Sequence, residues 1–156
     1  MLRFPVLVLS LLAASAAVPA GAALPPADEQ AVRQVILTDA LLDTLIAIKA
    51  EGQALGIGES QADASVLVSL DAMARSATRD ARVAPLFARH GLSPRDYVTA
   101  AVALMRAGMA AQLGTSAAAN GTTAANIAFA KSRMSRIAPI FGNEGDEDGD
   151  EYQSDE

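Results

Sequence analysis

The chain has 156 residues, of which 51% are hydrophobic and only 4% are aromatic. This composition suits one domain with a core of aliphatic side chains and alanine. The chain contains no cysteine, which excludes disulfides, thiol catalysis and thiolate metal sites. Its formal net charge of -6 at pH 7 argues against nucleic-acid binding.

Residues 1–22 have the pattern of a secretory signal peptide. A positive end with Arg3 precedes an apolar run over residues 4–18, and small residues follow up to Ala22. The apolar run is shorter than the roughly 20 residues that a membrane-spanning helix needs. We therefore expect residues 1–22 to be removed, the mature chain to start at Ala23, and the protein to be secreted or periplasmic without stable membrane insertion.

The negative charge is concentrated at the C-terminal end. Residues 143–156 contain eight acidic and no basic residues, whereas residues 23–142 contain 11 basic and 10 acidic residues. The sequence thus predicts a nearly neutral all-α domain over residues 23–142 and an acidic tail over residues 143–156. Because the tail has little apolar content, we expect it to be disordered and to attract a protein partner or a basic ligand.

The tail also has some features of a calcium-binding loop. Glu144, Asp146 and Asp148, followed by Gly149, have the required spacing. However, glutamate stands at the first ligand position, Asp155 stands where a bidentate glutamate is needed, and no helix follows. We therefore expect only weak electrostatic attraction of cations and no specific metal site.

The first half of the domain begins with two predicted helices. Residues 25–29 combine two prolines with two acids, as is typical of a helix start. The hydrophobic periodicity shifts after Ile36, and Thr38 has the right position to cap a second helix from Asp39. Gly52 ends this second helix and opens a glycine-rich connection.

Two further helices are predicted around the middle of the chain. Ser60 and Asp63 form a capping box that favours an amphipathic helix over about residues 61–76. The next helix, over about residues 80–89, contains Pro85, which lacks an N–H group. We therefore expect that helix to start late or to bend.

The turn between two predicted helices at residues 89–97 is the clearest local pattern of the sequence. Gly91 favours the left-handed conformation that closes a helix, and Ser93 caps the next helix with Asp96 completing a capping box. Leu92 lies between them and is expected to contact both helices.

The longest predicted helix runs from Pro94 to Gly114. We expect its core-facing stripe to consist of Val98, Ala101, Val102, Met105 and Met109. After a small polar loop, Thr122 or Thr123 caps a last helix that Pro139 stops. Since no segment has the alternation of a strand, we predict an all-α fold, an irregular bundle-like domain of about four to six helices.

Three stretches of this pattern together carry a resemblance to other proteins. They are Leu37-Thr38 before an apolar helix, Gly91-Leu92-Ser93-Pro94-Arg95-Asp96-Tyr97-Val98, and Asn126-Ile127-Ala128-Phe129. The combination resembles small secreted all-α bacterial proteins, an uncharacterised family without an assigned activity. The resemblance covers residues 37–137. Because its motifs are helix caps and core positions, it implies a fold and a compartment and no catalytic residue.

His90 is the only histidine and therefore the first candidate for chemistry. It could act as a general base, or bind haem together with a methionine. The Cys-x-x-Cys-His attachment signature is absent because the chain has no cysteine. His90 also precedes Gly91 at a helix C-terminus, where an imidazolium meets the negative end of the helix dipole. We expect this structural role.

Asp39 and Asp43 are one helical turn apart, as paired catalytic carboxylates could be, but the spacing is equally common on a solvated helix face. No serine, threonine or lysine lies in a recognisable nucleophile motif. We therefore expect no catalytic residue, cofactor or metal, and our first hypothesis is a non-catalytic binding or structural module. The alternative is an enzyme of unknown class with a site near His90. A polar cleft around His90 would favour the enzyme, and an exposed apolar groove the binding module.

Overall fold

The computed structural model describes residues 24–57 and 69–141. The predicted signal peptide, the acidic tail and the capping box of Ser60 and Asp63 lie outside these residues. Within the two ranges the chain forms seven α-helices, one 3₁₀ helix and no strand. This confirms the all-α fold class.

One long helix is the central element of the structure. The helices are α1 (Pro26–Gln34), α2 (Asp39–Ala54), α3 (Leu70–Ala77), α4 (Val83–Arg89), α5 (Pro94–Leu113), α6 (Ala124–Ser132) and α7 (Met134–Ile137), followed by the 3₁₀ helix Ala138–Phe141. Helix α5 contacts α1, α2, α3, α4 and α6, most extensively α6 and α3. In the two described ranges, no helix has both the length and the apolar character required to span a bilayer.

Four helices start at a serine or threonine whose side-chain oxygen accepts an N–H of the first turn. These caps are Thr38 for α2, Ser69 for α3, Ser93 for α5 and Thr123 for α6. Each cap satisfies an N–H that would otherwise have no partner within its helix. The cap at Thr38 confirms the predicted break after α1, and Thr123, not Thr122, caps α6.

The corner between α4 and α5 has the predicted geometry. Gly91 has a φ angle of 73°, which is the left-handed conformation that glycine adopts readily. Ser93 Oγ accepts the N–H of Asp96 at 3.1 Å, and the Asp96 carboxylate accepts the N–H of Ser93 at 3.3 Å. Across the turn, the rings of Phe87 and Tyr97 stack with their centroids 4.3 Å apart.

Helices α3 and α4 begin later in the chain than the approximate predicted ranges, residues 61–76 and 80–89. Helix α3 starts at Leu70, because Ser69 has extended backbone angles (φ -162°, ψ 158°) that exclude a continuous helix over residues 61–76. Helix α4 starts at Val83, which places Pro85 in its first turn. There the missing N–H of proline breaks no helical hydrogen bond, so the late start expected from Pro85 is confirmed.

The last predicted helix is divided in two at Arg133. The backbone of Arg133 (φ -122°, ψ 15°) ends α6, and α7 starts at the next residue. Ile137, in α7, is buried against α5. Its Cγ2 atom lies 3.9 Å from the point where a Cβ on Gly108 of α5 would be. Helix α7 ends before Pro139, and the chain continues as a 3₁₀ helix.

The buried face of α5 differs from the predicted stripe. Met109 is 47% exposed and Met105 is only partly buried, although both were expected in the core. The buried residues of α5 are mostly small: Val98, Ala100, Ala103, Leu104, Ala107, Gly108 and Ala110. Because α5 has helices on several sides, small side chains let those neighbours approach closely. Met105 and Met109 are not among these buried residues, so the prediction that they lie in the core is wrong.

Candidate functional site

His90 lies at the C-terminal end of α4, as predicted, and its ring contacts α2. The Nε2 atom is 2.8 Å from a carboxylate oxygen of Glu51, in the last turn of α2. Arg89 pairs with the same carboxylate. The pKa of Glu51 is lowered from its ordinary value, first by the hydrogen bond from His90 and then by the one from Arg89. His90 therefore links α2 to the corner between α4 and α5.

The polar side chains that the structure describes near His90 are engaged in contacts that stabilise the fold. Ser93, the hydroxyl nearest to His90 in the sequence, donates to the carboxylate of Asp96 and accepts the N–H of that residue. Glu51, which could orient an imidazole base, is shared with Arg89. Within residues 24–57 and 69–141, no group of three or more histidine, cysteine or acidic side chains is placed to hold a metal ion.

Asp39 and Asp43 form ion pairs with arginines from the C-terminal helices. Asp39 is 2.8 Å from Arg133 and 3.1 Å from Arg136, and Asp43 also pairs with Arg136. The hydrogen bond from Arg133 is the main cause of the lowered pKa of Asp39. The guanidinium of Arg133 lies 5.7 Å from the centre of the Phe129 ring. These two carboxylates thus connect α2 to α6 and α7, and they do not converge on a cleft.

Asn126 has a structural role that the sequence analysis did not assign. It is only 2% exposed, its Oδ1 accepts the N–H of Leu37 at 3.1 Å, and its Nδ2 donates to the carbonyl of Val35 at 2.8 Å. One amide group therefore satisfies both backbone partners of the extended turn between α1 and α2. Ile36, between the two bonded residues, points outward and is 77% exposed. An asparagine among the apolar residues at the start of α6 was the available signal.

An open groove lies between α1, α5 and the loop that follows α5. Its volume is about 450 Å³. The lining residues are Glu29 and Arg33 from α1, Met105, Arg106 and Met109 from α5, and Ala118, Ala119, Asn120 and Gly121 from the loop. The groove therefore has one wall of methionine and arginine side chains and one wall of small residues.

An ion pair forms part of this groove. Arg106 donates to both carboxylate oxygens of Glu29, at 2.6 and 2.7 Å, and this bidentate contact is the main cause of the lowered pKa of Glu29. Gly121 crosses over the pair with a φ angle of 59°, and a Cβ at this position would lie 2.6 Å from Arg106 Nη1. The positive φ angle favours glycine here, and a larger residue would also have to displace the end of the Arg106 side chain.

Arg33 supplies a positive charge that the ion pair does not neutralise. It is exposed and makes no hydrogen bond or ion pair with the residues that the structure describes. One turn beyond Met109 on α5, Leu113 is 68% exposed, so an apolar stripe continues outward along the helix. The groove thus combines apolar surface with the exposed cation of Arg33, whose charge also contributes to lowering the pKa of Glu29.

Comparisons with family models, with curated proteins and with solved structures find no match to this chain. The resemblance to small secreted helical proteins therefore stays a prediction.

Proposed function

We propose that this protein is an exported, non-catalytic helical binding module whose binding surface is the groove between α1, α5 and residues 118–121. The observation that carries the proposal is the position of Met105 and Met109. The sequence favours the core for both, yet they line an open groove beside the exposed cation of Arg33. The candidate catalytic side chains, in contrast, are engaged in contacts between helices.

The chemistry of the groove indicates a protein segment that carries both apolar and acidic side chains. Methionine side chains are flexible and polarisable, so they adapt to different apolar groups. Arg33 offers a guanidinium that can bind a carboxylate with two hydrogen bonds. The opposite wall, residues 118–121, has small side chains that let a partner backbone approach closely.

Export is the second element of the proposal. It is supported by the signal-peptide pattern of residues 1–22 and by the burial of Leu24, which is only 6% exposed in the core cluster. Cleavage before Ala23 would therefore leave every described core residue on the mature chain. N-terminal sequencing of the exported protein tests this element, and an intact Met1 would contradict it.

We also propose that residues 23–142 form one irregular bundle-like domain and that residues 143–156 are a disordered acidic tail. The eight acidic residues of the tail support this division. Arg133 and Arg136, at the end of the domain, are already paired with Asp39 and Asp43. The tail is therefore more available to a basic ligand or partner than to these arginines.

An enzyme with a site near His90 is the alternative. The 2.8 Å contact with Glu51 is the observation in its favour, because a carboxylate can orient an imidazole that acts as a general base. The sharing of Glu51 with Arg89 argues for a structural contact instead. A panel of ester and amide substrates tests this alternative. Hydrolysis by the wild type that is lost in His90→Gln would establish the enzyme.

The binding proposal is tested by blocking the groove. Ala119→Trp fills the groove from an exposed loop position, and Ala81→Trp places the same side chain on an exposed turn away from it. Native mass spectrometry of protein recovered from its own compartment should show a partner that Ala119→Trp and Arg33→Glu lose and that Ala81→Trp keeps. A partner insensitive to both groove variants would contradict the assignment. One lost only on deletion of residues 143–156 would belong to the tail.

A further inference from the structure

The groove carries a positive charge beside its apolar wall. Two arginines and one glutamate line it, so the formal charge of its lining is +1. Arg106 donates to both carboxylate oxygens of Glu29, whereas Arg33 is exposed. Met105 and Met109 belong to the same lining, and methionine sulfur contacts aromatic rings favourably. The groove therefore fits a segment in which an acid stands close to an aromatic residue.

The chain itself contains such a segment. Residues 142–156, which lie outside the described residues, include eight acids, no base and one aromatic residue, Tyr152. Asp150 and Glu151 directly precede this tyrosine, and we refer to residues 150–152 as the tail motif. An extended segment places alternate side chains on one face, with their Cα atoms about 7 Å apart. In that conformation, the motif presents the carboxylate of Asp150 and the ring of Tyr152 together.

The described chain ends close to the groove. Ile137 of α7 packs on Gly108 of α5, and Gly108 lies between Met105 and Met109 in the sequence of that helix. Because a helix with its side chains is about 10–12 Å wide, Ile137 is within roughly that distance of the groove. The four residues of the 3₁₀ helix that follows add about 8 Å at most. Phe141 is therefore within roughly 20 Å of the groove.

The remaining chain is long enough to return to the groove. Tyr152 is 11 residues beyond Phe141, and an extended chain of that length spans about 36–40 Å. Lys49 of α2 donates to the carbonyls of Pro139 and Ile140, which fixes the point where this chain starts. A tether of about ten residues gives its end a millimolar effective concentration at a site within reach. A contact too weak to persist between separate molecules is therefore populated within one molecule.

We propose that the tail motif occupies the groove of its own chain. The carboxylate of Asp150 binds Arg33, and the ring of Tyr152 contacts Met105 and Met109. The inference rests on the proposed function of the groove, because an external partner must displace the motif to bind there. One exposed ion pair and one ring–sulfur contact are weak, so we expect about half of the molecules to be self-occupied at millimolar effective concentration. The tail thus selects against partners that bind the groove weakly.

The first test observes the groove without an added ligand. The methionine methyl signals are recorded by NMR in the full chain as its host produces it, for the wild type and for Tyr152→Ser. We expect the signals of Met105 and Met109 to differ between the two proteins, because the substitution removes the ring. The signal of Met73, a partly buried residue of α3 outside the groove, should stay the same. Tyr152→Phe, which keeps the ring, should retain the wild-type signals. Identical signals of Met105 and Met109 in the wild type and Tyr152→Ser would overturn the proposal.

A pair of charge-matched variants tests the ion pair. Asp150→Asn and Glu144→Gln each remove one acid from the tail, but only the first removes the proposed partner of Arg33. We expect Asp150→Asn to move the groove methionine signals toward those of Tyr152→Ser and Glu144→Gln to leave them unchanged. In an Arg33→Gln background, Asp150→Asn should have no further effect, since its partner is already gone. Equal shifts in Asp150→Asn and Glu144→Gln would overturn the assigned contact.

Dilution separates a contact within one chain from a contact between two chains. A motif bound to its own chain gives methionine signals that do not depend on protein concentration. We therefore expect the difference between the wild type and Tyr152→Ser to persist over about a hundredfold dilution. A difference that fades on dilution would mean that the motif binds a second copy, and the proposed contact within one chain would be wrong.

A peptide with the sequence of the motif separates failure of this inference from failure of the proposed function. Acetyl-Asp-Glu-Tyr-amide should bind the wild type about twofold more weakly than Tyr152→Ser, because half of the wild-type grooves are occupied. If the peptide shifts Met105 and Met109 but binds both proteins equally, the groove is a binding surface and only the tail contact is wrong. If it shifts neither signal, the tail contact is wrong, and the loss of a partner in Ala119→Trp still decides the proposed function.

Discussion

The carboxylate of Asp28, in the first turn of α1, accepts the backbone N–H of Leu70, the first residue of α3, at 2.9 Å. The other carboxylate oxygen of Asp28 is 2.6 Å from the guanidinium of Arg95 on α5. Asp28 is only 6% exposed, so this acid is buried with both of its oxygens satisfied. It joins three helices whose starts are far apart in the chain.

Replacing Asp28 should therefore be costly. We expect Asp28→Ala to lower the free energy of unfolding by about 1–3 kcal/mol, because the N–H of Leu70 loses its acceptor in a buried site and Arg95 loses one of its two carboxylate partners. Urea unfolding followed by circular dichroism measures the change. Asp71→Ala is the matched control, since it removes an exposed carboxylate from the same arginine and should cost less than about 1 kcal/mol. Equal effects of the two substitutions would contradict the structural role of Asp28.

Helix ends were the most predictable part of this fold. The caps at Thr38 and Ser93 and the left-handed turn at Gly91 depend on groups within about four residues, so the local sequence contains the whole interaction. The exception was the start of α3. The sequence predicted one helix over about residues 61–76, but the extended backbone of Ser69 interrupts it and Ser69 caps α3; the predicted capping box of Ser60 and Asp63 lies outside the described residues.

Burial and the candidate groove could not be predicted in the same way. The partner of Asp28 is 42 positions away and the partners of Asn126 are about 90 positions away, so no local window contains them. Met109 has the spacing of a core residue, but α5 buries its alanine-rich faces because several helices surround it. The groove arises where the loop after α5 passes over Arg106, which depends on tertiary packing alone.

The amide of Asn126 should be equally important for the turn between α1 and α2. We expect Asn126→Ala to destabilise the protein by about 2–3 kcal/mol, because the N–H of Leu37 and the carbonyl of Val35 lose their partner. Hydrogen exchange should show the Leu37 amide losing protection more than the amides of α5. Asn120→Ala, in the loop after α5, is the control and should leave the exchange of Leu37 unchanged. Unchanged protection of Leu37 in Asn126→Ala would show that other groups hold this turn.

Gly121 and Gly56 provide a matched pair that separates backbone strain from steric contact. Both have positive φ angles, 59° and 62°, but a Cβ on Gly56 meets no atom within 4 Å, whereas one on Gly121 lies 2.6 Å from Arg106 Nη1. Alanine at either position costs about 1 kcal/mol for the left-handed backbone. Gly121→Ala should lower the free energy of unfolding further, by up to about 1 kcal/mol, because the end of the Arg106 side chain must shift and disturb the ion pair with Glu29. Equal melting temperatures of the two variants would mean that the loop does not approach Arg106 closely.

The contact between Glu51 and His90 should make stability depend on pH. The hydrogen bond from His90, followed by the one from Arg89, lowers the pKa of Glu51 in the folded protein below its ordinary value of 4.5. The ionised carboxylate therefore stabilises the fold above about pH 4.5, and this contribution is lost as the pH falls through the lowered folded value. Urea unfolding should accordingly show that Glu51→Gln is less stable than the wild type at pH 7 and that this difference shrinks by pH 3.

His90→Gln, which keeps a donor but cannot acquire charge, should retain more stability than His90→Ala if the hydrogen bond itself matters. A stability difference between wild type and Glu51→Gln that stays constant from pH 7 to pH 3 would show that Glu51 is not held by these partners, and the structural interpretation of His90 would fail with it.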